Sequence, residues 1–152
     1  MPKQPVPLKI LLAEDDTDDY LFFASALKGI PIATHLTIAK DGVQLMNYLN
    51  ENSENLPHIL FLDLSMPLRS GFECLHEIRE DKKLEGLTVV VFTISFTNSS
   101  NFEMELKNIL ERLGAQSFIR KSSDLGQLKL HINNVLIGMT EKKSLYGYGR
   151  SL

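Results

Sequence analysis

Short, almost fully apolar runs recur along this chain, and each is followed by a stretch with helical spacing. A strand that is apolar on both faces must be covered on both, which places it inside a parallel sheet flanked by helices. Such runs predict strands over residues 8–13, 35–39, 58–62, 88–92 and 116–119. The first helix is expected on a face made by Tyr20, Leu21, Ala24 and Leu27, stopping near Gly29 and Pro31. The second opens at Asp41-Gly42 and carries Val43, Leu45, Met46 and Leu49, and the third runs from Gly71 to Glu80. The fourth uses Met104, Leu106, Ile109, Leu110 and Leu113 and ends at Gly114, a good helix C-cap. Leu125, Leu128, Leu130, Ile132, Val135 and Leu136 mark the fifth. Five β–α units with right-handed crossovers imply an α/β domain: a doubly wound, five-stranded parallel sheet with helices on both faces. In such a sheet the ligand site lies beyond the carboxyl ends of the strands.

The 152 residues suffice for one domain, and an apolar content of 43% can fill its core. We divide the chain into an extension over 1–7, the domain over 8–137 and a polar tail over 138–152. The tail is expected to be irregular or loosely docked, with Tyr146 and Tyr148 as its possible anchors. A net charge of −3 gives no basic footprint for nucleic acid. No apolar run is long enough to cross a bilayer, and Met1–Pro7 lacks the core of a secretory signal. The lone Cys74, spaced with Phe72, Leu75 and Ile78, reads as a buried structural thiol in a reducing, cytoplasmic setting. The scattered His35, His58, His76 and His131 make no zinc pattern, and there is no glycine-rich nucleotide loop.

Charge gathers where the strands end. The first runs into Glu14-Asp15-Asp16, the third into Asp63, the fourth into Thr93 and the fifth, through Arg120, into Lys121. Asp16 or Thr17 is expected to cap the first helix. Asp63 closes an apolar strand and precedes Leu64-Ser65-Met66-Pro67, where no helix begins. Clustered carboxylates repel unless a cation lies between them, and a hard, oxygen-seeking ion such as Mg2+ suits this set. Lys121 opposite would balance a further anion, and a phosphoryl group fits. The constellation therefore points to a metal-dependent phosphate site.

With Gly71 added, these marks resemble the receiver domains of two-component response regulators, over about residues 8–137. The resemblance implies a flavodoxin-like strand order of 2-1-3-4-5. It implies that Asp63 takes a phosphoryl group from a sensor histidine kinase or histidine phosphotransfer protein. Mg2+ would be held by Asp63, Asp15, Glu14 through water, and the backbone carbonyl of Ser65. Lys121 and the Thr93 hydroxyl would bind phosphoryl oxygens. Thr93 and the strand-five aromatic, Phe118, would form the switch, and Phe118 has no hydroxyl to hold it outward. The output would be a reshaped protein-binding surface on the fourth helix, fifth strand and fifth helix. No nucleic-acid or membrane partner is implied, and the receiver would be no enzyme beyond its own phosphorylation and dephosphorylation.

Three departures from the family pattern stand out. Ile94 replaces a small residue after Thr93 and predicts slow hydrolysis of the phosphoryl group. Ser122 replaces proline after Lys121, so the bond between them is expected to be trans, since a cis bond before a non-proline costs about 3–4 kcal/mol. Phe96–Phe102 suggests a long loop into the fourth helix. About fifteen residues after the last helix are too few for an output domain, which suggests a stand-alone module that signals by binding. The charges at Glu103, Glu105, Lys107, Glu111 and Arg112 form either a homodimer face or an ordinary solvated one. Two other readings stay open: a scaffold that is never phosphorylated, favoured by Ile94 and Ser122, and a phosphohydrolase. The latter class generally wants an acid two residues after its nucleophile, where Ser65 stands.

Overall fold

In the computed structural model the strands alternate so regularly between two cores that the architecture follows from residue parity. The structure describes residues 6–93 and 100–149, with backbone only for 100–103 and 142–149. Strands β1 (Leu8–Ala13), β2 (Thr34–Ala39), β3 (Ile59–Leu62), β4 (Thr88–Thr93) and β5 (Ser117–Arg120) form one parallel sheet. Their order is β2-β1-β3-β4-β5, as the resemblance implied. Helices α1 (Thr17–Lys28), α2 (Gly42–Glu51), α3 (Gly71–Glu80), α4 (Ser100–Arg112) and α5 (Leu125–Gly149) connect and follow them.

Successive side chains of a strand point to opposite faces. Leu11, Leu60, Leu62, Val89 and Val91 therefore pack under α2, α3 and α4, with Leu45, Leu49, Leu75, Ile78 and Leu110. Ile10, Leu12, Ile59, Phe61, Val90 and Phe92 pack under α1 and α5, with Phe23, Leu27, Leu128, Ile132 and Leu136. Phe23 sits edge-on to both Phe61 and Phe92, with ring centroids 4.9 and 5.4 Å away. Cys74 is fully buried, and burial pushes its thiol up to about 11. Among the described residues no helix is long and apolar enough to cross a membrane.

Several expectations need correction. The buried face of α1 is Phe23, Ala26 and Leu27, whereas Leu21 is 56% exposed. The larger Phe23 wins because it fills the gap between two sheet aromatics. Val43, Met104, Ile109, Leu113, Leu125 and Leu130 are exposed too, so each buried stripe is narrower than apolar spacing alone suggests. His58 lies before β3, where its Nδ1 accepts a hydrogen bond from the Lys9 N–H at 2.9 Å. Strand β5 is shifted one residue later than expected, to Ser117–Arg120. Residues 100–102 belong to α4 instead of a loop. Helix α5 continues through Gly149, where an irregular tail was expected. Ile94 and residues 96–99 lie outside the described residues, as do the side chains of Glu103, Tyr146 and Tyr148.

Leu68, in the loop from β3 to α3, is the one described non-glycine residue with positive φ, at 69°. It is also 79% exposed. A left-handed conformation strains an L-residue, and an exposed side chain recovers little by packing. Leu68→Gly should therefore raise stability by about 0.5–1 kcal/mol. Urea unfolding would check this, and a loss of stability would show that the leucine packs in solution.

Candidate functional site

The carboxyl edge of the sheet brings the expected charges together. Strand β3 lies between β1 and β4, and the Asp63 N–H donates to the Ala13 carbonyl at 3.1 Å. This ladder sets Asp63 beside Glu14. The Lys121 N–H donates to the Thr93 carbonyl at 2.8 Å, which seats the lysine main chain against the end of β4. Strand alternation then aims Glu14, Asp63 and Lys121 toward the α1 side, because they continue the parity of Leu12, Phe61 and Ile119.

Asp63 is 3% exposed and Glu14 is fully buried. The Lys121 ammonium donates to Asp63 Oδ2 at 3.1 Å and to Asp19 Oδ2 at 2.9 Å, and it contacts Glu14 Oε1 as an ion pair. The other Asp63 oxygen, Oδ1, accepts from the Thr93 hydroxyl at 3.3 Å and from the Ser65 N–H at 3.2 Å. The Asp63 carboxylate is thus held at both oxygens, with part of its hydrogen bonding supplied by its own loop. A cavity of about 410 Å³ opens over the group, lined by Glu14, Asp15, Asp16, Asp19, Asp63, Ser65, Thr93 and Lys121.

Charge decides the chemistry of this edge. Burial pushes the Glu14 carboxyl up to about 8, aided by the neighbouring Asp63 carboxylate and opposed by Lys121. Burial pulls Lys121 toward neutrality, but the carboxylates of Glu14, Asp19 and Asp63 outweigh it and hold the amine above its usual range. Glu14 Oε2 finds no hydrogen-bond donor among the described residues. One oxygen each from Glu14, Asp15 and Asp63 lies within 4.8 Å of the others. A buried carboxylate oxygen without a donor, in a set of hard oxygens, fits a divalent cation.

Two glycines place the loop that carries Asp63. A Cβ on Gly71 would lie 2.2 Å from the Asp63 carbonyl oxygen and 2.6 Å from Leu64 Cα. A Cβ on Gly42 would lie 2.2 Å from the Arg69 carbonyl oxygen. The loop is therefore gripped by backbone on both sides. Asp16 caps α1, accepting from the Asp19 N–H at 3.0 Å, as expected. The described residues contain no cis peptide, so the Lys121–Ser122 bond is trans. The Ser122 hydroxyl instead accepts from the Asp124 N–H at 3.0 Å, shaping the turn before α5 without proline. Phe118 is half-buried against the α2–α4 side and pairs in register with Val91.

Every site residue expected from sequence lies at this edge, apart from Phe118, which stands two rungs back on β5. Asp19 was not foreseen. An acid in the first turn of a helix reads as a partner of the helix dipole, and nothing local links it to a lysine 102 positions later.

A family model described as the response regulator receiver domain matches residues 10–133. The chain belongs to that family. Response regulator Rcp1 of Synechocystis sp. is 36% identical over 93 residues, which are 59% of this receiver and 63% of Rcp1. The sequence match thus spans less than two thirds of that relative's length. The crystal structure of the Mn2+-bound form of Rcp1 superposes with a TM-score of 0.70 at 28% identity, covering 85% of this receiver and 91% of that chain. The phosphorylated cyanobacterial phytochrome response regulator RcpA gives 0.69 at 28% identity, covering 86% and 91%.

The close approach at Gly71 has a measurable consequence for this receiver. Gly71→Ala must push back the backbone that carries Asp63, at a cost of about 2 kcal/mol or more. Urea denaturation would report it, and a loss below about 0.5 kcal/mol would mean that the loop yields easily.

Proposed function

We propose that this receiver is a phosphorylation switch in which Asp63 accepts a phosphoryl group from a phosphohistidine on a kinase or phosphotransfer protein. The observation that carries the reading is the buried Asp63 carboxylate, held by Lys121 Nζ at 3.1 Å and Thr93 Oγ1 at 3.3 Å beside Glu14 and Asp15. An Asp63 oxygen attacks phosphorus, the bond from phosphorus to the donor imidazole breaks, and that nitrogen leaves with the electron pair. Phosphoryl transfer has a loose transition state, so position and charge balance matter more than covalent assistance. Lys121 meets the negative charge on the phosphoryl oxygens, and the Thr93 hydroxyl donates to one of them. Mg2+ would be held by Asp15, Asp63, Glu14 and the Ser65 carbonyl, and when bound it supplies positive charge against the carboxylates and the phosphoryl group.

The three acceptor oxygens of the product draw Thr93 inward, and Phe118 on the neighbouring strand responds by packing. The readout is a changed protein-binding surface along α4, β5 and α5. On this reading the chain is no enzyme beyond its own phosphorylation and dephosphorylation. It works in the cytoplasm, the reducing setting expected from the lone cysteine.

Intact-mass spectrometry tests the proposal with acetyl phosphate as donor. Wild type should gain one phosphoryl group only when Mg2+ is present, and Asp63→Asn should gain none. The adduct should also decay slowly, as expected from Ile94. Absence of the adduct, together with no beryllofluoride binding by fluorine NMR, would overturn the switch in favour of an interaction scaffold.

A further inference from the structure

We propose that Asp19 is a positioning residue for the phosphoryl-transfer site, tethering the Lys121 ammonium to α1 so that it remains over Asp63 throughout the reaction. The inference rests on the reading of Asp63 as phosphoryl acceptor and adds a residue outside that reading.

An ammonium has three N–H donors. At Lys121 three carboxylates meet it, from Glu14, Asp19 and Asp63. Glu14 and Asp63 have a second task, because their oxygens converge with Asp15 as a cation-binding set, and Asp19 is not a member of that set. When cation and phosphoryl group engage Glu14 and Asp63, Asp19 is the one carboxylate left to hold the lysine. The tether has a firm base. The N–H of Asp19 is bound by the helix cap Asp16, so its backbone is fixed while its side chain reaches across to Lys121 at 2.9 Å. The lysine side is weaker without it, since Lys121 is a long flexible chain leaving a four-residue strand. Ordering such a side chain costs about 1.5–2 kcal/mol of rotamer entropy, so an acceptor that stays in place has a direct effect on phosphoryl capture.

Charge alone gives the opposite expectation. Asp19 is a negative group beside an anion site, and simple repulsion predicts that its removal strengthens anion binding. The sign of the effect therefore separates tether from repulsion. Asp19→Ala removes both charge and acceptor, whereas Asp19→Asn removes the charge but keeps an oxygen that can accept from Lys121.

The experiment measures beryllofluoride affinity by fluorine NMR in saturating Mg2+ for wild type and both variants, with thermal melts to establish equal folding. Mg2+ affinity without the anion is measured alongside. Asp19→Ala should bind beryllofluoride about three- to tenfold more weakly, the scale of one charged hydrogen bond at a partly exposed site. Asp19→Asn should stay within about twofold of wild type or bind more tightly. Neither should lose more than about threefold in Mg2+ affinity, since Asp19 stands outside the cation-binding set. Unchanged or tighter beryllofluoride binding by Asp19→Ala overturns the tether, as does equal weakening in both variants. A larger loss of Mg2+ affinity makes Asp19 a cation ligand and overturns it as well. If wild type binds no beryllofluoride and takes no phosphoryl group, the acceptor reading itself falls, a result distinct from normal wild-type loading with an unaffected Asp19→Ala.

Discussion

Burying two neighbouring carboxyl groups at the end of an apolar sheet is the constraint on which this molecule depends. Glu14 and Asp63 lie out of water within reach of each other, and removing a charged group from water costs several kcal/mol before any attraction is counted. One cation of the chain, Lys121, offsets that cost by touching both. The balance is incomplete, because Glu14 keeps an oxygen without a donor among the described residues. An edge with surplus negative charge and a single ammonium is suited to take up positive charge and to register the arrival of an anion.

The two cores have different tasks in holding this edge. The α1 and α5 side buries the aromatic group of Phe23, Phe61 and Phe92, directly beneath the face that carries Glu14, Asp63 and Lys121. Lys121 Nζ itself lies 5.4 Å from the centroid of the Phe92 ring. The α2, α3 and α4 side supplies the glycine contacts that press the Asp63 loop into place, and it receives Phe118. The charged group and Phe118 thus lie on opposite faces of one sheet, joined by β4 and β5. The helix α1 belongs to the site as much as to the core, because its first turn caps with Asp16 and extends Asp19 to the lysine.

Much of this was legible in the chain. Almost fully apolar strands called for a parallel sheet covered on both faces, and such a sheet puts its site at the carboxyl ends, so Glu14, Asp15, Asp63, Thr93 and Lys121 could be named from their places after the strands. The helix faces were less legible. Apolar spacing marked Leu21 and Leu130 as readily as Phe23 and Leu128, and only the shape of the facing sheet chose between them. Strand ends moved by a residue or so, because hydrogen bonding to a neighbour, not composition, decides where pairing stops.

What the sequence by itself determined was the fold class and the list of charged groups at its edge, both set by local alternation and order along the chain. The tertiary structure alone decided which groups share an ammonium. The pairing of Asp19 with Lys121 spans 102 positions, and the grip of Gly71 on the Asp63 backbone depends on an ångström-scale approach between elements. Such contacts arise from how helices settle on the sheet, and no residue pattern within either partner encodes them.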